Sequence, residues 1–117
     1  MPNSQRDRYV VVWITAASPQ EAEEIARKLV EEKLVACANV LPPMQSIFWW
    51  QGEVCKEKET LITAKTLSSR MDEIIGRAKQ LHTYQVPEII ALPFLAGSPD
   101  YLDWIDEALG EGAPPPE

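Results

Sequence analysis

The stretch QLHTYQVPEIIALP carries His82, the only histidine of the chain, with the carboxylate Glu88 close behind it and Tyr84 and Pro87 between them. An imidazole and a carboxylate so spaced can do three things. They can share a divalent cation if the chain folds back and a third donor joins them. The imidazole can serve as an acid or base toward a substrate. Or it can end a helix, where the dipole favours its partial protonation and free carbonyls accept its N–H. Catalysis has no further support, because no Gly-rich phosphate loop, nucleophile elbow or second paired acid accompanies the motif. No enzymatic activity is expected. If copies of the chain assembled, a cleft between them would gather His82, Tyr84 and Glu88, with Lys65 of LITAKT as a further ligand-binding side chain.

The two thiols, Cys37 and Cys55, have neither CxxC nor metal-finger spacing. Both fall in strand-like segments, and two cysteines in a chain of 117 residues point to reduced, partly buried thiols in the cytoplasm. Hydrophobic residues make up 45% and charged residues 25%, as in an ordinary globular domain. The 18 acidic and 11 basic residues give a net charge of −7, with the lysines and arginines scattered. Duplex binding needs a basic face to displace counterions, so no nucleic-acid partner is expected. The N-terminal apolar run is too short for a signal peptide and no stretch is long enough to span a membrane, so no membrane partner is expected either.

The elements that must position these groups follow from periodicity. YVVVWITA is a strand covered on at least one face. SPQEAEEIARKLVEEK starts as a helix should, with Ser18 as N-cap, Pro19 at the first position and Glu21 completing a capping box. Its apolar stripe is Ala22, Ile25, Ala26, Leu29 and Val30, with Glu24 and Lys28 paired on the solvent side. LVACANVLPPMQSIFWW is a second strand broken at Pro42-Pro43, which cannot donate to a ladder. After a turn at Gly52, VCKEKETLITAKT returns as the third strand. SSRMDEIIGRAKQLH is a helix capped by Ser68 or Ser69, with Met71, Ile74, Ile75, Ala78 and Leu81 inward. VPEIIALPFL is a fourth strand, and SPDYLDWIDEAL a third helix with Leu102, Ile105 and Leu109 on one face. The order βαββαβ plus a C-terminal helix is α+β and points to a ferredoxin-like sandwich. A single domain is expected over residues 9–109, between flexible ends at 1–8 and 110–117.

The hairpin outgrows such a body. From Leu34 to Trp50 the strand covers roughly 50 Å at 3.3 Å per residue, against a globule about 35 Å across. Its far end is Ile47, Phe48, Trp49 and Trp50. Left in water these would form a large apolar patch between two open strand edges. Sheltering by sister copies, with Phe48, Trp49 and Trp50 in the interface, is the expected solution.

With these residues in view, the chain resembles the CutA family, the divalent-cation tolerance proteins, from Val10 to Leu109. The likeness is carried by EEKLVACANVLP, SIFWWQGEV, LITAKT, LHTYQVPEIIALP and YLDW. It implies a cytoplasmic homotrimer of ferredoxin-like subunits whose long hairpins extend intersubunit sheets. It also implies a role in divalent-metal tolerance or response, copper binding as in some relatives, no established catalysis and no required cofactor. The family's copper site joins a cysteine at the end of the first strand to the histidine and glutamate of H-x-Y-x-x-P-E. The last two fall on His82 and Glu88. The first falls on Ile14, which offers no donor, and without a soft thiolate the remaining pair suits a harder or weaker divalent site. Weak binding of copper or another divalent cation is therefore the expectation. The alternative is a small-molecule-sensing signalling trimer resembling nitrogen-regulatory proteins, with no metal role.

Overall fold

The computed structural model describes residues 8–110, so the expectations for 1–7 and 111–117 lie outside the described residues. The elements are β1 (Tyr9–Ala16), α1 (Pro19–Glu31), β2 (Cys37–Val40), β3 (Met44–Trp50), β4 (Glu53–Leu67), a 3-10 turn (Ser68–Arg70), α2 (Met71–Leu81), β5 (Ile89–Pro93) and α3 (Pro99–Ala108). The architecture is α+β. All strand pairs are antiparallel, in the order β2-β4-β1-β5, with β3 continuing along β4 beyond β2.

Strand alternation decides where the core lies. Val10, Val12, Ile14 and Ala16 of β1 and Ile62 and Ala64 of β4 point to one face. There they meet Ala22, Ile25, Ala26 and Leu29 of α1 and Ile74 and Ala78 of α2. On the opposite face α3 covers one end only, where Ile105 and Leu109 close over Leu67 with Tyr9 and Phe94 beside them. Trp13, Ile90 and Leu92 are left exposed on the rest of that face.

Local signals mostly set the elements. Ser18 Oγ accepts the Glu21 N–H at 3.1 Å, as an N-cap should. The Glu21 carboxylate reaches back to the Ala17 N–H rather than to that of the cap itself. Two side-chain expectations for α1 differ. Val30 is exposed in the last turn of the helix, next to the fully buried Leu29. The i,i+4 ion pair is Glu23–Arg27, one position off the pair expected on that face. Neither Ser68 nor Ser69 caps α2. A 3-10 turn occupies those positions, and Arg70 is the N-cap, its side chain making no capping bond. Arg70 instead donates to Lys33 O and Leu109 O, tying the ends of α1 and α3 to the start of α2.

The second strand divides as its prolines require. Val40 pairs Ile62 and Met44 pairs Glu59, so three residues, Leu41 to Pro43, oppose two of β4. That mismatch is a β-bulge, which bends and twists the strand. Beyond it β3 and the first half of β4 form an arm closed by a two-residue turn, Gln51 at φ 50 and Gly52 at φ 82, the left-handed pair a tight hairpin needs. The arm stretches the molecule to 55 × 31 × 23 Å, with a radius of gyration of 15.5 Å. A compact chain of about this length would have about 13 Å.

The expected boundary residues prove to be tied down. Arg8 bonds the fully buried Asp106 of α3 through Nη2, and the Tyr9 hydroxyl donates to the other carboxylate oxygen at 2.7 Å. The Gly110 N–H donates to Glu107 O.

Candidate functional site

His82 is the C-cap of α2, where the backbone turns extended at ψ 145. Its side chain is fully buried. The imidazole does not bond the carbonyls of its own helix. Nε2 donates to Thr15 O of β1 at 2.6 Å, and Nδ1 accepts the Tyr84 N–H at 3.0 Å. Those two bonds define a neutral ring with its proton on Nε2 and leave neither nitrogen lone pair open. The Tyr84 ring lies against it at 4.7 Å.

Glu21 joins the same hub from α1. One carboxylate oxygen accepts the Ala17 N–H and stands 3.8 Å from His82 Nδ1, and the other accepts the Thr83 N–H at 3.3 Å. Burial works to raise this carboxyl. Thr83 and the Ala17 N–H together outweigh it and hold the group below the usual range. A helix cap and a histidine therefore fasten the Thr83–Glu88 loop to the end of β1, and Thr15 N–H adds a backbone bond to Glu88 O.

That loop is one wall of a cleft of about 960 Å³. The other wall is the arm, through Ser46, Phe48, Trp50, Cys55, Glu57 and Glu59, with Thr15 and Ala17 at the base. Glu59 is 93% buried by its 7% exposure, and its carboxylate faces the Tyr84 hydroxyl. Burial first, then this carboxylate, pushes the Tyr84 phenol well above its ordinary range, so it acts as a hydrogen-bond donor at all physiological pH values.

Tyr84 and Glu88 line this cleft together with Phe48, Trp49 and Trp50. His82 lies behind the loop and supports it. Lys65 is elsewhere, six residues along β4 from Glu59, or about 20 Å of strand, donating to Asn39 Oδ1 at 2.7 Å. Ile14 is buried in the core facing the helices, so the position where a thiolate would complete a copper site holds a packed side chain. Among the described residues no group of three or more His, Cys, Asp or Glu side chains is placed to hold a metal. The described residues of the chain do not fit a tight copper centre. Both thiols are free: Cys37 of β2 pairs with Lys65 near the end of β4, whereas Cys55 lies near the start of β4 and pairs with Phe48. The sequence patterns singled out Glu21 only as a capping residue and did not single out Glu59 or Asp106.

The fold and cleft define a class: small α+β proteins whose antiparallel sheet sends out a two-stranded arm beside a helix-to-strand loop. Residues 10–108 match the family model described as CutA1 divalent ion tolerance protein. The chain belongs to that family. The Divalent-cation tolerance protein CutA of Thermus thermophilus is 47% identical over 86% of this chain and 97% of its own length. The protein of that name from Archaeoglobus fulgidus is 42% identical over 84% of the chain and 95% of its own. The solved Archaeoglobus structure, described as periplasmic, superposes with a TM-score of 0.84 over 86% of this chain and 98% of its own, at 40% identity. The Thermus structure gives 0.83 at 46% identity, over 86% and 97%. Among the described residues no helix is long and apolar enough to cross a membrane.

Proposed function

We propose that this protein serves divalent-metal tolerance as a cytoplasmic homotrimer of ferredoxin-like subunits, without catalytic activity or a required cofactor. The names of its relatives support the metal-tolerance role. Counting β2 and β3 as one broken strand, the order β2-β4-β1-β5 with two helices on one face supports the ferredoxin-like description. Two free, partly accessible thiols suit a reducing compartment.

The observation that carries the trimer is the arm. Trp49 is 74% and Ile47 70% exposed at its end, with Val54 beside them. Burying each such side chain against a sister copy contributes roughly 1.5–3 kcal/mol, which makes the isolated subunit the less stable state.

Cation binding on this reading is weak. Glu88 is exposed in the cleft and offers a first oxygen. His82 can join only by giving up the Tyr84 N–H or the Thr15 carbonyl. Calorimetric titration of Cu(II), Zn(II) and Mn(II) into wild type, His82→Ala and Glu88→Ala tests this. A weak event in wild type that shrinks in both variants is expected. Isotherms identical across all three proteins reject the ligand assignment.

A further inference from the structure

Glu59 sets the cleft apart from an ordinary surface groove. It is only 7% exposed, yet among the described residues it forms no ion pair, and the Tyr84 hydroxyl that faces it is neutral. A carboxylate taken so far from water costs free energy unless a cation meets it. The space beside it, about 960 Å³, has the size of a small-molecule site rather than of a bare ion. Glu57 and Glu88 open on the same space, and the one ammonium in its lining is that of Lys58. Three carboxylates against one lysine leave the lining with a net charge of −2.

This negative charge is spread out. Among the described residues no three Asp, Glu, His or Cys side chains converge enough to hold a metal ion. Glu57 and Glu59 alternate on one face of β4, about 6.6 Å apart along the strand. Phe48, Trp50 and Tyr84 add aromatic surface to the same cleft. Separated carboxylates among rings suit an elongated cation, with its charges apart and hydrocarbon between them.

We propose that the cleft binds an aliphatic diammonium, one ammonium donating to Glu59 and the other to Glu57, with the methylene chain against the Tyr84 and Phe48 rings. The spacing of the two carboxylates is roughly that of the ammonium groups in an extended diamine of about four carbons. Ammonium N–H groups are required because the carboxylates only accept, and a fully methylated nitrogen has nothing to donate. Tyr84 occupies part of the Glu59 carboxylate and leaves acceptor capacity for the ligand. Two positive charges also match the net charge of the lining. His82 lies behind the loop and takes no part, so this site and cation binding at His82 stand or fall separately.

Calorimetry with putrescine as the probe tests the site, on protein dialysed against EDTA and then into chelator-free buffer of low salt. Butylamine, with one ammonium on the same chain, and Mg(II), a compact dication, are the comparison probes. Putrescine should bind at least about tenfold more tightly than either. Glu57→Gln and Glu59→Gln should each weaken it by about tenfold or more. Glu24→Gln, on the exposed side of α1, should leave it unchanged. Glu57 is exposed, so its variant keeps the fold and decides the matter even where Glu59→Gln melts early, which circular dichroism reports. Putrescine no tighter than butylamine, Mg(II) binding as tightly, undiminished binding by Glu57→Gln, or an equal loss in Glu24→Gln each overturns the site. Only the general attraction of an acidic protein for cations would then remain.

Discussion

His82 belongs to a motif visible in sequence, yet its role here is decided by a neighbour far away in the chain. H-x-Y-x-x-P-E announces a histidine, a tyrosine and a carboxylate at a helix-to-strand junction. That Thr15 O would come within 2.6 Å of Nε2 depends on how β1 packs against α2, which no local pattern encodes. The same holds for Glu21, legible as a capping residue but not as the partner of Thr83. Its carboxyl is held below the ordinary 4.5, so the unfolded chain binds the proton more readily than the folded one. The stability it contributes is present above the unfolded value and lost as pH falls through the lower folded value. Glu21→Gln should therefore unfold at lower denaturant than wild type at pH 7, with the gap closing below about pH 4, read from urea midpoints at each pH. Glu59 was unreadable for a different reason. In a strand of alternating charge it looks like its solvated neighbours, and only the loop that folds over it removes it from water.

At the scale of elements, sequence and structure agree where the signal is backbone chemistry. Ser18-Pro19 starts α1, Pro42-Pro43 interrupts the second strand, and Gly52 sits in the hairpin turn. They part where a signal had competitors. Ser68 and Ser69 are good caps, but Arg70 is drawn away to two distant carbonyls and the chain fills the gap with a 3-10 turn. The end of α1 was also silent, because Lys33 takes the left-handed position, φ 59, that glycine usually occupies. Its N–H bonds Val30 O and the Leu34 N–H bonds Leu29 O, the double closure of a Schellman end. Lys33→Gly should relieve the strain and raise stability by up to about 1 kcal/mol, seen as an increase in melting temperature. A fall would mean that the lysine stem contributes packing that outweighs the backbone gain.

For the whole molecule, one length comparison in the sequence already foretold the outline, an arm reaching past its body, and 55 Å against 31 and 23 Å bears it out. What would cover that arm was not legible in the same way, since it depends on which side chains share a face, and that requires the register. Trp50→Glu places a charge beside Phe48 and Trp49 and should dissociate the proposed assembly to subunit mass by sedimentation equilibrium. A variant that still sediments at three times the subunit mass would contradict the sheltering of this arm. The bulge at Leu41–Pro43 matters at this scale as well. It reconciles the register of β2 with that of the tight turn, and its bend aims everything beyond it. When identical units repeat one contact, a small angular error does not cancel but compounds, so that a circle fails to meet itself and becomes a helix without end. Shortening the bulge by deleting Pro43 would keep the arm's own pairing and straighten its exit. On the proposed assembly, open filaments under the electron microscope are the expected product, and the bulge would then set how many subunits close the ring.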